Sequence, residues 1–379
     1  MKLIVDENIP FGKETFSQFG DVTLINGREI NNKICRNAEI LIVRSITKVN
    51  KELLDGINIR FVGSATTGDD HIDTKYLDAQ GIKYYVAKGC NAYSVVEYVF
   101  AAITHFANKF DFRFEGKTLG IVGVGKIGSK VAAIGNELGF EVIKNDPPLQ
   151  RQTGSAEYRS LQDALSADII TLHVPLNITG IDKTHHLLDA ESINLIRPNA
   201  ILINASRGPV IDNFALLNRL KLSNDIISVL DVWENEPDIN IDLLKLTRLG
   251  SAHIAGYSLE GKVNGTTMVY EELCKFLGIT TTYEPDLPVI ENPSINLSPE
   301  ERIENVIQTI FNSVYKITED DQLLRVLTDP DVEEEGKYFD QLRKTYRIRR
   351  ELDNYNINAV NFTSEIKRKL TALRLKFSN

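Results

Sequence analysis

Residues 118–128 read TLGIVGVGKIG, an apolar run that ends in glycines at positions 123, 125 and 128. The spacing has a physical cause. The first glycine of a G-x-G-x-x-G turn makes the sharp reversal, the second lets the backbone approach a pyrophosphate, and the third lets strand and helix pack closely. A helix-like pattern follows, so unpaired amides and the helix dipole would meet the phosphates without a metal. Eighteen residues beyond Gly128, at the end of FEVIKND, stands Asp146. A carboxylate there accepts from both hydroxyls of an adenosine ribose and repels a 2′-phosphate, which selects NAD over NADP. Arg151 keeps the other choice open, since a guanidinium can meet that phosphate.

Working outward, strand-like runs recur on both sides of this turn. KLIVD, DVTLI, ILIVRS, IRFVGSAT and IKYYVA occupy the first ninety residues; TLGIV, FEVIK, ADIITLHV, AILINAS, IISVLDVW and LGSAHI follow from Lys117, with Ser160 and Asp212 as helix starts. Near-continuous apolar strands separated by helical segments predict α/β architecture with two doubly wound parallel sheets. After Pro285 the alternation fades into EPDLPVIENPSINLSPEE, which reads as a linker, and a third unit with an acidic stretch and the basic run LRKTYRIRRELD closes the chain.

At 379 residues the chain is long enough for two or three domains. A formal charge of −9 argues against a broad nucleic-acid or anionic-membrane surface. No apolar run reaches the roughly 18 residues that span a bilayer. Asp6 and Glu7 fall where an export signal would be basic and then apolar, so a cytoplasmic location is expected. Cys35, Cys90 and Cys274 lack zinc or redox spacing and are expected to be reduced thiols.

Chemistry collects at predicted strand ends, where open α/β sheets bind ligands. Arg207 follows ILINAS, Glu236 follows VLDVW, and His253 lies in GSAHIAGYS. An imidazole can exchange the proton of a substrate hydroxyl, a carboxylate can hold that imidazole in one tautomer, and a guanidinium fork matches a substrate carboxylate. Asp231 is expected at the nicotinamide end. Ser45 and Thr66 end two strands of the first sheet, where they can reach a substrate or simply cap helices. His185 and His186 are adjacent; as strand neighbours they would point to opposite faces, so no metal is expected.

GIVGVGKIG, LHVPL, NASRGPVID, LDVWENEP and SAHIAGYSLEGK together resemble the D-isomer-specific 2-hydroxyacid dehydrogenases over residues 1–280. The resemblance implies a flavodoxin-like substrate-binding (lid) domain from 1–94 with 257–285, a Rossmann NAD-binding domain over 95–256, and, through FDQLRKTYRIRREL, a small α+β dimerisation domain over 286–379. It places the catalytic residues on Arg207, Glu236 and His253. Cofactor contacts fall on Gly123, Gly125, Lys126, Ile127, Gly128, Asp146, Asp231 and Gly256, and substrate contacts on Ser45, Thr66 and Tyr257. A contact made by threonine in the family's LHxPL motif falls here on Val174, where only the backbone could serve. The implied activity is NAD-dependent oxidation of a small phosphorylated 2-hydroxy acid by a homodimer. Arg343, Arg347, Arg349 and Arg350 offer a cation for that phosphate, reaching the neighbouring subunit's substrate, or else a solvated helix face.

Overall fold

The computed structural model describes residues 1–298, 302–359 and 362–378. They fall into two compact units, Met1–Ala92 with Tyr257–Val289, and Tyr93–Gly256 with Ile290–Asn379.

In the first unit, strands β1 (Lys2–Asp6), β2 (Asp21–Ile25), β3 (Ile40–Val43), β4 (Phe61–Ser64) and β5 (Lys83–Val86) pair in parallel in the order β2-β1-β3-β4-β5, the flavodoxin-like arrangement. ILIV and FVGS form the centre and are buried at every position, whereas the edge strand DVTLI is largely open. One face is covered by the helix Leu259–Leu277, which returns from far along the chain. Two glycines permit its close approach. A Cβ on Gly63 would lie 2.4 Å from Val269 Cγ1, and one on Gly265 would lie 2.2 Å from the Ala65 carbonyl oxygen.

In the second unit, β6 (Thr118–Val122), β7 (Glu141–Asn145), β8 (Ile169–Leu172), β9 (Ile201–Asn204), β10 (Ile227–Leu230) and β11 (Leu249–Gly250) form a second parallel sheet in the order β11-β10-β9-β8-β6-β7. The chain reverses direction across this sheet at β6, so the glycine turn leaves from the topological switch point, where ligands of such sheets bind. Both expected helix starts occur. Ser160 and Asp163 form a reciprocal capping box, and Asp212 caps the helix Asn213–Leu222 by accepting from the Ala215 amide at 2.9 Å. No helix among the described residues is long and apolar enough to cross a membrane.

The segment expected to be a linker is not one throughout. Ser294–Leu297 is strand β12, which pairs in parallel with β13 (Asn356–Ala359), and β13 in turn with β14 (Lys376–Phe377). Ile295 and Leu297 alternate inward, a period of two hidden among prolines and polar residues. Residues 299–301 of that segment, and the expected terminal boundary Asn379, lie outside the described residues. Leu324, Leu327 and Phe339 share one core with Trp233 and Ala252, just beyond strands β10 and β11, and with Leu243 and Leu244 of the helix Ile241–Leu246. Asp321 also accepts from the amide of Gly250 on the edge strand β11 at 2.7 Å. The C-terminal segment is thus built into this unit.

Phe339→Ala removes a fully buried ring from that shared core, and should cost about 3–5 kcal/mol of unfolding free energy in urea denaturation. A loss under about 1 kcal/mol would mean that the C-terminal segment contributes little to the unit's stability.

Candidate active site

The glycine turn shows how each glycine is used. Gly123 has φ +90°, and a Cβ there would meet the His173 carbonyl at 2.8 Å. A Cβ on Gly128 would lie 2.0 Å from the Gly123 carbonyl oxygen, so only glycine lets the helix Gly128–Leu138 start against the turn. Gly125 is exposed with no heavy atom within 4 Å of its Cβ direction, leaving open space where a pyrophosphate would come near the backbone. No side chain caps that helix, and Lys126 is exposed beside it. A dinucleotide therefore fits the turn that these residues make.

Asp146 ends β7 and ties the two loops together. Its Oδ2 accepts from the Val124 amide at 2.8 Å and its Oδ1 from Leu149 at 3.0 Å, which caps the helix Pro147–Thr153. Arg151 is committed elsewhere. One of its terminal nitrogens donates to both oxygens of Asp182, at 2.5 and 2.6 Å, and that pairing disfavours the NADP alternative. Val174 packs with its Cγ1 2.8 Å from the Cβ position of Gly123, under the turn. His173 beside it is driven down to about 3 by burial, so it is a neutral ring at neutral pH.

Arg207, Glu236 and His253 follow three neighbouring strands, β9, β10 and β11. His253 Nδ1 donates to Glu236 Oε2 at 2.7 Å, and the Trp233 amide donates to Glu236 Oε1 at 2.8 Å. Burial works to raise the Glu236 carboxyl. The His253 charge, the His253 hydrogen bond and the Trp233 amide outweigh it and hold the group below its ordinary value. The imidazole is thus held by one nitrogen, with Nε2 as its remaining acid/base atom.

Arg207 leads into a short 3-10 turn, Gly208–Val210, and its carbonyl accepts from Asn204 Nδ2 at 3.0 Å. Gly208 presses this loop onto the next one. A Cβ there would lie 1.9 Å from the Trp233 carbonyl oxygen, so the Arg207 and Glu236 loops touch backbone to backbone. Trp233 is 1% exposed and packs in the core, with its indole donating to the Ser251 carbonyl at 2.9 Å.

Asp231 does something that its sequence position did not signal. It is 1% exposed, and its carboxylate accepts from Ser251 Oγ (2.6 Å), the Ile254 amide (2.8 Å) and the Ala255 amide (3.0 Å), while its carbonyl accepts from the His253 amide (2.7 Å). Those bonds fix the turn on which His253 sits at φ +56°. Gly256 follows the turn and ends the first of the two chain segments that make up this unit.

In the first unit, Ser45 is exposed just beyond β3 and Thr66 half-buried just beyond the adjacent β4. Neither caps a helix; Asn50 and Asp73 do so. Thr66 Oγ1 lies 3.0 Å from Ser64 Oγ, which in turn lies 3.0 Å from His71 Nε2. Tyr257 has the Lys262 ammonium 4.3 Å above its ring.

Two expectations change. The basic run is not a solvated helix face, because residues 346–351 are not helical and Arg349 is 2% exposed, donating to the Ser94 and Ala255 carbonyls at 3.0 and 2.7 Å. Arg347 pairs with the buried Asp320 at 2.5 Å, and Arg350 donates to Asn354. The charge of Arg343 is felt at Glu236, which it helps lower. The histidine pair is not in a strand. His185 and His186 occupy a turn, with their rings stacked 4.1 Å apart and Glu234 2.6 Å from His186 Nε2. The geometric reason for expecting no metal there is removed.

A family model for the NAD-binding domain of D-isomer-specific 2-hydroxyacid dehydrogenases matches residues 103–255, and one described as a domain of unknown function matches residues 287–373. The chain belongs to the D-isomer-specific 2-hydroxyacid dehydrogenases, and its cofactor is NAD. It is 43% identical over 364 residues to erythronate-4-phosphate dehydrogenase of Photorhabdus laumondii, covering 94% of each chain. It is also 41% identical to erythronate-4-phosphate dehydrogenase of Pectobacterium carotovorum, over 97% of this chain and 99% of the relative. Among solved structures, the NAD-bound 3-phosphoglycerate dehydrogenase of Entamoeba histolytica superposes with TM-score 0.63 at 23% identity, covering 73% of this chain and 95% of that one. The D-lactate dehydrogenase of Aquifex aeolicus gives 0.59 at 24% identity, over 73% and 96%. These two likenesses show the fold.

Two experiments check the site. Gly125→Ala should leave the melting temperature unchanged and weaken NAD binding, whereas Gly128→Ala should lower the melting temperature as well; equal melting losses in both would contradict the open space at Gly125. Glu236→Gln keeps the shape of the side chain but replaces the carboxylate that accepts from His253 Nδ1 at 2.7 Å, so kcat for hydroxy-acid oxidation should fall by about 10²–10⁴-fold with NAD binding unchanged. An unchanged kcat would separate Glu236 from the work of His253.

Proposed function

We propose that the chain oxidises the 2-hydroxyl of 4-phospho-D-erythronate with NAD, yielding (3R)-3-hydroxy-2-oxo-4-phosphooxybutanoate, NADH and a proton, within the synthesis of pyridoxine 5′-phosphate. The observation that carries the reading is the His253–Glu236 pair at 2.7 Å beside a glycine turn that fits NAD, in a chain similar over nearly its whole length to erythronate-4-phosphate dehydrogenases.

When bound, the oxidised nicotinamide supplies the acceptor for the hydride that leaves C2. His253 Nε2 takes the proton from the C2 hydroxyl as the carbonyl forms, and Glu236 across the ring stabilises the imidazolium. Arg207 holds the substrate carboxylate and the oxygen on which charge develops. Ser45, Thr66 and Tyr257 serve as substrate contacts, supported for the first two by their positions at adjacent strand ends and by helix caps supplied elsewhere. Gly123, Gly125, Lys126, Ile127, Gly128, Asp146 and Gly256 serve the cofactor. Asp231 joins them through the turn it holds, since its carboxylate is already bonded within the protein.

Residues 1–94 with 257–285 form the substrate-binding domain in this reading, 95–256 the NAD-binding domain, and 286–379 the part through which two copies pair. A cytoplasmic location agrees with three free, buried cysteines, of which Cys35 is pushed up to about 11 by burial and is unreactive as a thiol.

Turnover followed by reduced-nicotinamide absorbance should be high with 4-phosphoerythronate and low with erythronate, D-lactate and D-glycerate. His253→Ala should lower kcat by about 10²–10⁴-fold. Equal or faster turnover of an unphosphorylated acid would assign the chain to another member of the family, and an unaffected His253→Ala variant would remove the proposed base.

A further inference from the structure

Glu234 lies two residues before Glu236 but has other partners, Asn213 and His186, which serve no step of the proposed hydride transfer. Its Oε2 accepts from the Asn213 amide at 2.9 Å, and its own amide donates to Asn213 Oδ1 at 3.1 Å, so the side chain is anchored at one oxygen. The other oxygen, Oε1, meets His186 Nε2 at 2.6 Å. On the far side of the same imidazole, His186 Nδ1 has Asp212 Oδ2 at 3.7 Å. His186 has φ +51°, and this left-handed turn folds the ring of His185 onto the same side, stacked at 4.1 Å and 24°. His185, His186 and Glu234 each offer one donor atom, and these atoms all lie within 4.8 Å of one another at half-buried positions. Apart from that stacking, the His185 ring makes no hydrogen bond among the described residues.

We propose that His185, His186 and Glu234 form a binding site for one divalent transition-metal ion of borderline softness, the class of Zn²⁺. Two neutral imidazoles and one carboxylate are the donor set that such ions take, with water in the fourth position. At metal–nitrogen distances of about 2.1 Å, donors on one tetrahedral ion stand about 3.4 Å apart. The ion replaces the proton shared by His186 Nε2 and Glu234 Oε1, and the pair opens by less than an ångström. Asp212 then accepts from Nδ1–H of His186 after a small side-chain turn, giving the carboxylate–histidine–metal series that fixes a ligating ring. Ca²⁺ and Mg²⁺ fit poorly, because two of the three donors are nitrogens. The site is separate from His253, whose Nδ1 is held by Glu236.

The test uses the full-length, NAD-bound protein stripped with a chelator and titrated with Co²⁺ and then Zn²⁺. One equivalent of Co²⁺ should give visible d–d bands without the intense near-ultraviolet band of a thiolate ligand, and Zn²⁺ should displace it. His185→Ala should abolish those bands while keeping turnover of the stripped enzyme, which shows that the variant is folded. Asp212→Asn keeps a side chain able to cap the helix and should weaken Zn²⁺ about 10–100-fold. No Co²⁺ bands at millimolar metal, or bands unchanged in His185→Ala, would overturn the proposal. So would bands that vanish only in His253→Ala, which would put the ion on the catalytic pair.

Discussion

The active half of the nucleotide-binding unit depends on one buried carboxylate. Asp231 is charged only against a large desolvation cost, and burial does raise its carboxyl above the ordinary range in spite of the His253 charge, the Ser251 hydroxyl and two amides that work to lower it. What the group gains in return is geometry. Left-handed backbone at a residue other than glycine costs of order 1–3 kcal/mol and persists only where its surroundings over-determine it. His253 is such a residue, and the bonds from Asp231 to residues 251, 253, 254 and 255 are the surroundings. The series extends outward, since Tyr98 Oη lies 2.8 Å from Ser251 Oγ and Trp233 Nε1 donates to the Ser251 carbonyl. A helix, a core indole and a strand end thereby converge on the placement of one imidazole.

The loops that carry Arg207 and Glu236 are assembled by contact of backbone with backbone, which only glycine allows. Gly208 brings the Arg207 loop against Trp233, and Gly128 brings a helix against the cofactor turn. In both places a methyl group would lie about 2 Å from a carbonyl oxygen, so the constraint is steric and local. Gly125 differs because its neighbour is space. Two of the glycines in the turn are thus explained by the packing of the protein itself, whereas Gly125 faces the open space in which a dinucleotide fits.

This difference sets what could be read from sequence. Strands such as ILIV, TLGIV and ILIN are short apolar runs between turn signals, so both sheets were legible residue by residue, as were the caps at Ser160 and Asp212. The placement of Arg207, Glu236 and His253 beyond three neighbouring strands was legible because each strand is recognisable. The strand Ser294–Leu297 was hidden by prolines on its flanks, and its apolar pair at 295 and 297 is too short a period to stand out. What position did not announce is the structural work of Asp231: its partners are 20 to 24 residues away and include main-chain amides, which leave no mark on composition. His186 and Glu234 are 48 residues apart. Their meeting depends on a left-handed turn that no local pattern announces.

The C-terminal segment illustrates how a charge pattern can mislead where packing decides. Four arginines within eight positions suggest a solvated or ligand-binding surface. Arg349 instead lies with its guanidinium 4.3 Å from the Tyr315 ring and donates to carbonyls at the start of one helix and the end of the His253 turn. Its neighbours Glu351 and Arg374 continue inward: Ser94 Oγ donates to Glu351 Oε1 at 3.1 Å, and Arg374 pairs with Glu351 at 2.7 Å while resting 3.7 Å over the Tyr93 ring. A buried cation bonded to backbone carbonyls cannot also be a mobile phosphate ligand. The basic run therefore joins residues 93–97 and Ala255 to the C-terminal segment, and Ala255, whose amide is held by Asp231, has its carbonyl held by Arg349.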